Sequence, residues 1–145
     1  MIVRNIIGTK QIRQILTVKP SDTIKTATEI LAKNRIGAVI VSGDGEIVDG
    51  ILSERDIVRA LGTAGAGVLT SQVDELMTSS VIGCHPDDTA NSVMEKMSEG
   101  RFRHMPVIEN NRMVGVISIG DVVKARITEI QQENSALTGM IANSW

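Results

Sequence analysis

Two short polar motifs with the same spacing are the residues best suited to chemistry in this chain of 145 residues. In each, a serine precedes an aspartate by three positions: Ser53 with Asp56, and Ser118 with Asp121. An aspartate carboxylate can accept hydrogen bonds from both hydroxyls of a ribose, beside a helix N-terminus that favours phosphate. The same spacing is typical of a capping box at the start of a helix. The duplication favours the nucleotide interpretation, although capping alone also explains each motif.

Arg103 and His104 are the side chains best suited to bind phosphate. Arginine offers a planar fork of donors, whereas histidine can bond phosphate and titrates near neutral pH. Because neighbours in a strand point to opposite faces, we expect one of them to face a ligand squarely. The alternative is a solvated arginine and a partly buried histidine. The weaker candidates share a positive charge near the earlier motif and are Lys19, Arg35 and Arg55.

Both motifs belong to a longer internal repeat. The block over residues 20–58 recurs over residues 86–123, with an offset of 66 residues at its start and 65 at its end. Two similar units in one short chain usually bury their apolar faces against each other, which creates a pseudo-twofold cleft with related sites. We therefore expect function to lie in that cleft.

Apolar spacing and turn residues predict the order strand, helix, strand, strand, helix in each unit. In the first unit we expect a helix capped by Ser21 or Asp22, a hairpin with strands at 38–41 and 47–52, and a helix over 53–61. In the second unit we expect Asp88 to cap the first helix, and a hairpin with strands at 104–108 and 112–117 around Asn110 and Asn111. The glycine-rich residues 62–67 predict a linker, followed by a short helix near 73–77.

The last helix carries an apolar stripe that extends past the end of its counterpart. Its members are Val122, Val123, Ile127 and Ile130. A projecting apolar face needs cover, which predicts a second subunit. The resulting domain plan is an N-terminal segment at 1–15, a first domain at 16–62, a linker at 63–79, a second domain at 80–134 and a tail at 135–145.

Bulk properties narrow the functional classes. The net charge is −2 and the pI is near 5.7, so no global positive field favours nucleic acid or an anionic membrane. No stretch is apolar enough to span a membrane, and the start lacks the apolar core of a signal peptide, so we expect a cytoplasmic protein. Cys84 and His85 are adjacent and not chelate-spaced, so we expect no metal site. No arrangement of nucleophile and base stands out, so we expect no enzyme activity.

The repeated block resembles the CBS domain, named after cystathionine beta-synthase. The resemblance covers about residues 17–127 and rests on Pro-x-Asp-Thr before the first helix, on second hairpin strands that end Gly-Ile-Leu-Ser or Gly-Val-Ile-Ser, and on the following aspartate. The second copy, with Arg103-His104-Met105-Pro106-Val107, is closer to the family pattern. The tandem resembles a Bateman module, which implies an α/β (α+β) fold of two β-α-β-β-α domains packed with pseudo-twofold symmetry around a central cleft.

The resemblance implies a site for an adenosine-containing ligand, with AMP favoured and ADP, ATP, NAD(H) or S-adenosylmethionine as alternatives. The aspartate would hold the ribose, the serine would lie near the phosphates, and the start of the hairpin would flank base and phosphates. The residues at those positions are Ile36, Gly37, Ala38, Ser53, Asp56, Arg103, His104, Met105, Pro106, Ser118 and Asp121. Thr17 matches another family contact, but its counterpart Gly83 has no hydroxyl, so the two sites should differ.

The leading hypothesis is therefore a non-catalytic sensory module that forms a homodimer, binds an adenine nucleotide and passes its occupancy to a regulated protein partner. The first alternative is a structural or interaction dimer with vestigial clefts. The second is a regulatory subunit of a separately encoded enzyme or transporter.

Overall fold

Each half of the chain folds into a small sheet covered by helices. The computed structural model describes residues 1–8 and 15–143. The helices are α1 (Val3–Gly8), α2 (Ile24–Asn34), α3 (Glu54–Ala64), α4 (Val73–Leu76), α5 (Ala90–Gly100) and α6 (Ile119–Asn143). The strands are β1 (Thr17–Val18), β2 (Ala38–Val41), β3 (Gly50–Ser53), β4 (His104–Glu109) and β5 (Arg112–Ser118). Among these helices, none combines the length and apolarity needed to cross a membrane.

The two sheets repeat one pairing scheme. In the first, β1 runs parallel to β2 with Val18 opposite Val41, and β2 pairs antiparallel with β3. In the second, β4 and β5 form the hairpin, and one parallel bridge between Cys84 and Val107 replaces the first strand. This bridge joins the residues found 66 positions after Val18 and Val41. The predicted β-α-β-β-α order is therefore confirmed, with the first strand of the second unit reduced to a bridge.

The interior is divided into two apolar cores, one for each unit. The first is built around Ile24, Val39 and Leu52, and the second around Val93 and Ile117. Helix α1 precedes the first unit in sequence but packs on the second core through its buried Val3 and Ile6. The Val3 N–H donates to the carbonyl of Asp88 at 2.9 Å, which helps to hold α1 there. The N-terminal segment is thus structurally part of the second unit.

The caps of α2 and α5 lie later than predicted. Thr23 Oγ1 accepts the N–H three residues on at 3.2 Å, and Thr89 Oγ1 does the same at 3.1 Å. Asp22 and Asp88 instead accept the N–H groups three residues before them, at 2.9 and 2.8 Å. The predictions of Ser21 or Asp22 and of Asp88 as caps were therefore wrong, because each aspartate stabilises the turn that precedes its helix.

The second strand of the first hairpin is shorter than predicted. Asp44 Oδ1 accepts the N–H groups of Glu46 and Ile47, both at 2.9 Å, which folds these residues into a turn. The hydrogen bond from Ile47, then that from Glu46, lowers the pKa of Asp44 below its ordinary value. Strand β3 consequently begins at Gly50 and not at residue 47.

The segment predicted as a glycine-rich linker at 62–67 is partly helical. Helix α3 continues through Gly62 to Ala64, and Gly65 then turns the chain with a φ of 80°. A 3-10 helix over Ala66–Thr70 follows, in which Val68 is buried in the first core. The apolar contact of Val68 explains why this segment is ordered structure despite its glycines.

A substitution at Gly50 tests the close approach of β3 to the segment after α4. A side-chain carbon built at Gly50 would lie 2.6 Å from Met77 Sδ and 2.8 Å from the carbonyl oxygen of Thr78. Because the backbone carbonyl cannot yield easily, Gly50→Ala is expected to lower the free energy of unfolding by about 1–3 kcal/mol in urea denaturation. Gly43→Ala is the control, since its nearest neighbour is 3.6 Å away. An equal loss in both variants would contradict the steric explanation.

Candidate functional site

A cleft of about 1210 Å³ lies between the two units and is called the first cleft below. The first unit lines it with the turn over residues 34–38 and with β2. The second unit lines it with His104, β5 and the start of α6, and α1 lines it as well. Small-molecule sites commonly enclose roughly 300–1,000 Å³, so this cleft has room for a ligand of nucleotide size.

Ser118 and Asp121 lie in the first cleft and form a capping box at the start of α6. The Ser118 N–H donates to Asp121 Oδ2 at 2.9 Å, and the Asp121 N–H donates to Ser118 Oγ at 3.1 Å. Ser53 and Asp56 form the equivalent box at α3, with distances of 3.0 and 3.2 Å. The capping interpretation is therefore right for both motifs. A carboxylate has about four acceptor positions, so a cap N–H does not exclude a ribose contact.

The first unit contributes the turn between α2 and β2. Arg35 adopts a left-handed φ of 53°, which ends α2 and begins the turn that lines the first cleft. The Gly37 carbonyl then accepts the Glu54 N–H at 2.9 Å, which ties the turn to the start of α3. A side-chain carbon built at Gly37 would lie 3.6 Å from His104 Cε1. The turn of the first unit and the histidine of the second are therefore neighbours.

A second cleft of about 470 Å³ lies on another face of the molecule. Arg55, Arg101 and Arg103 line it, together with Phe102 and two methionines of α5. No acidic side chain among the described residues lines this cleft. Arg103 and His104 thus lie in different clefts, as expected for neighbours where a strand begins. Arg103 is not placed to act with His104 on one phosphate.

The family model of the CBS domain matches this chain twice, over residues 3–63 and 73–128. The chain belongs to the CBS domain family. A solved CBS-domain protein of Agrobacterium tumefaciens is 44% identical, covers 87% of this chain and 99% of its own, and superposes with a TM-score of 0.81. The fold class and the tandem of two CBS domains are therefore confirmed.

Two further relatives bear on function. The CBS domain-containing protein CBSX3, mitochondrial, of Arabidopsis thaliana is 31% identical over 128 residues, which span 86% of this chain and 62% of that protein. The chain thus matches about three fifths of the length of that relative. The CBS domain pair of MJ0100 was solved in complex with 5′-methylthioadenosine and S-adenosyl-L-methionine; it is 25% identical, covers 89% of this chain and 98% of its own, and has a TM-score of 0.76.

The predicted site residues of this CBS pair divide into three groups. The first cleft brings together Arg35, Ile36, Gly37, Ala38, His104, Ser118 and Asp121. The second brings together Arg55 and Arg103. The residues that line neither cleft are Thr17, Lys19, Ser53, Asp56, Met105 and Pro106.

The expectation that Met105 and Pro106 enclose a base does not match their positions. Met105 has no exposed surface and lies in the second core, and Pro106 is also buried. Residues 105–107 of β4 are all buried, because both faces of this strand are covered. Ile36, at the start of the first hairpin, was also predicted to flank the base or phosphates, and it does line the first cleft.

Two charged residues of the first cleft escaped the sequence prediction. Lys124 lies three residues after Asp121, a spacing that places both on one helix face and could have revealed it. Arg4 reaches the cleft because α1 packs on the second core, which no local motif indicates. Its guanidinium donates to Glu109 at 3.0 Å and to Asp87 at 3.2 Å, and these hydrogen bonds raise the pKa of Arg4.

The cysteine of the chain is placed in the core. Cys84 is buried beside β4, and burial raises the pKa of its thiol to about 11. The thiol is therefore protonated at neutral pH and is a poor nucleophile. Within residues 1–8 and 15–143, no group of three or more histidine, cysteine or acidic side chains is arranged to hold a metal ion.

Proposed function

We propose that this CBS pair is a non-catalytic regulatory module of the cytoplasm that binds an adenine nucleotide in the first cleft and signals its occupancy to another protein. One observation carries the proposal: the cap of α6, His104 and the turn after α2 line the same cleft from two different units. A ligand in this cleft would contact both units, so its presence would bias their relative position.

The chemistry of the cleft suits the two halves of a nucleotide. Asp121 is half-buried at the start of α6, where a carboxylate can accept ribose hydroxyls and the helix N-terminus favours phosphate. Ile36 provides apolar surface for a base. The adenosine-containing ligands of the MJ0100 pair support an adenosine-type ligand for this chain. AMP is the favoured ligand, with ADP, ATP and NAD(H) as alternatives.

The direct test is ligand binding by the unmodified protein. Native mass spectrometry should show a bound adenine nucleotide in freshly purified protein, or saturable binding after AMP, ADP, ATP or NADH is added. Isothermal titration calorimetry of nucleotide-free protein should give one site per chain at the first cleft. Absence of saturable binding with all four ligands would favour the alternative of vestigial clefts.

An exposed apolar face supports the proposal of a homodimer. Val58 of α3 is 66% exposed, and Val123, its counterpart 65 residues later on α6, is 42% exposed. The face continues along α6, where Ile127 is 50% and Ile130 is 46% exposed. Matching apolar positions on both units suit isologous contact with a second copy, in which the same surface serves both subunits. We expect α6 to lie at that interface because it has 25 residues against 11 in α3.

A further inference from the structure

The charges around the first cleft are unevenly balanced. Arg4, Arg35 and Lys124 line it, whereas Asp121 is the acidic side chain among its described lining residues. The positive charge of Arg4 is already balanced by ion pairs, because its guanidinium lies within 3.2 Å of both Asp87 and Glu109. Among the described lining residues, the positive charge not balanced by an ion pair therefore comes from Arg35 and Lys124.

Arg35 and Lys124 lie on different units and share two properties. Both side chains are exposed, and neither forms an ion pair with a residue that the structure describes. Exposed cations that form no ion pair with residues 1–8 or 15–143 are available to a ligand that contacts both units. Their positions differ from those of Arg103 and Arg55, which line the second cleft.

The backbone of Arg35 gives a second reason to expect a role for its side chain. Arg35 ends α2 with a φ of 53°, a position that glycine or asparagine usually occupies. A residue with a side chain is disfavoured in this conformation, and such residues cluster at functional sites. Arginine at this position thus carries a local penalty while adding a charge to the cleft.

We propose that Arg35 and Lys124 form a cationic pair that makes the first cleft selective for adenosine ligands bearing phosphate groups. The pair would favour AMP, ADP and ATP over adenosine, and all of these over the positively charged S-adenosylmethionine. This inference rests on the proposed adenosine site, and it adds the two residues that set the preference of that site for phosphate. The attraction follows from opposite charge and from hydrogen bonds to phosphate oxygens.

The chain contains a matched control for Arg35. Arg101 lies 66 residues later, ends α5 with a φ of 56°, and lines the second cleft instead of the first. Arg35→Asn and Arg101→Asn therefore remove the same charge from the same backbone conformation. Asparagine tolerates this conformation, so both variants are expected to fold, which thermal melting verifies. Lys124→Gln removes the other charge from an exposed helix position.

The experiment is calorimetric titration of adenosine, AMP, ATP and S-adenosylmethionine into wild type and the three variants. Arg35→Asn and Lys124→Gln should each lower ATP affinity about tenfold, the low end for a hydrogen bond to a charged group, and change adenosine affinity less than about twofold. Arg101→Asn should leave all affinities within about twofold. The affinity of Lys124→Gln for S-adenosylmethionine should equal or exceed that of wild type, because the variant lacks the repulsion between the Lys124 ammonium and the positively charged ligand.

The outcomes separate this inference from the proposed function. Adenosine binding with no gain from phosphate, or equal losses for adenosine and ATP in both variants, would overturn the cationic pair and leave the adenosine site intact. An equal effect of Arg101→Asn would also overturn it. If wild type binds no adenosine compound, the proposed function fails. The cationic pair is then tested by titration with inorganic tripolyphosphate. It stands if wild type binds tripolyphosphate and Lys124→Gln weakens that binding, and it is overturned otherwise.

Discussion

Asp121→Ala is expected to weaken AMP binding by about 1.5–3 kcal/mol, which is roughly 10- to 150-fold in the dissociation constant. The reason is that the Asp121 carboxylate lies in the first cleft and would accept hydrogen bonds from the ribose hydroxyls as a charged group. Calorimetric titration of AMP into wild type and variant, at the same pH and salt concentration, measures the difference. Adenosine should show a similar loss, because it carries the same ribose.

Asp56→Ala is the matched control, because Asp56 forms the same capping box and lines neither cleft. Both variants lose the hydrogen bond that the cap serine N–H donates to the aspartate, and this loss should lower the free energy of unfolding by about 0.5–1.5 kcal/mol in each. Asp121 alone should affect binding in the first cleft. Asp121→Asn separates cap from charge, since the amide oxygen can still accept the Ser118 N–H. Equal AMP affinity in wild type and all three variants would leave only the capping role.

Val123→Glu combined with Ile127→Glu is expected to convert a homodimer to monomers. The two positions are four residues apart on one face of α6, and both are largely exposed in a single chain. Because each side chain is already about half buried, covering the rest contributes about 1 kcal/mol for each one, and the isologous contact involves both subunits. Replacing them with carboxylates removes this contribution and places like charges at the interface. Sedimentation velocity at tens of micromolar should show a dimer for wild type and a monomer for the variant.

Ile47→Glu provides the control for added charge at an exposed isoleucine. Ile47 is 54% exposed in the turn of the first hairpin and belongs to neither α3 nor α6. This variant should remain dimeric, and its far-UV circular dichroism should match wild type. A monomeric wild type, or a double variant that stays dimeric, would contradict an interface on this face of α6.

Local features of this CBS pair were readable because they depend on residues a few positions apart. Asn110 and Asn111 predicted the turn of the second hairpin, and they adopt φ values of 54° and 63°, which asparagine tolerates. The capping boxes at Ser53 and Ser118 could also be predicted from local sequence, since each joins residues three positions apart. The caps at Thr23 and Thr89 were misplaced, because the preceding aspartates are also residue types that favour caps, yet each accepts an N–H group of the turn before its helix.

The sequence by itself determined the duplication, the order of elements in each unit and the family. The tertiary structure decided which parts meet: the turn at Arg35 in the first unit and Asp121 in the second line one cleft, and α1 packs on the second core. It also divided Arg103 and His104 between two clefts. These relations arise from packing between segments distant in sequence, where the burial of Val3 and Ile6 and the fit of two cores select the arrangement. Local spacing contains no signal for such contacts, so the composition of the cleft could be read only from the folded chain.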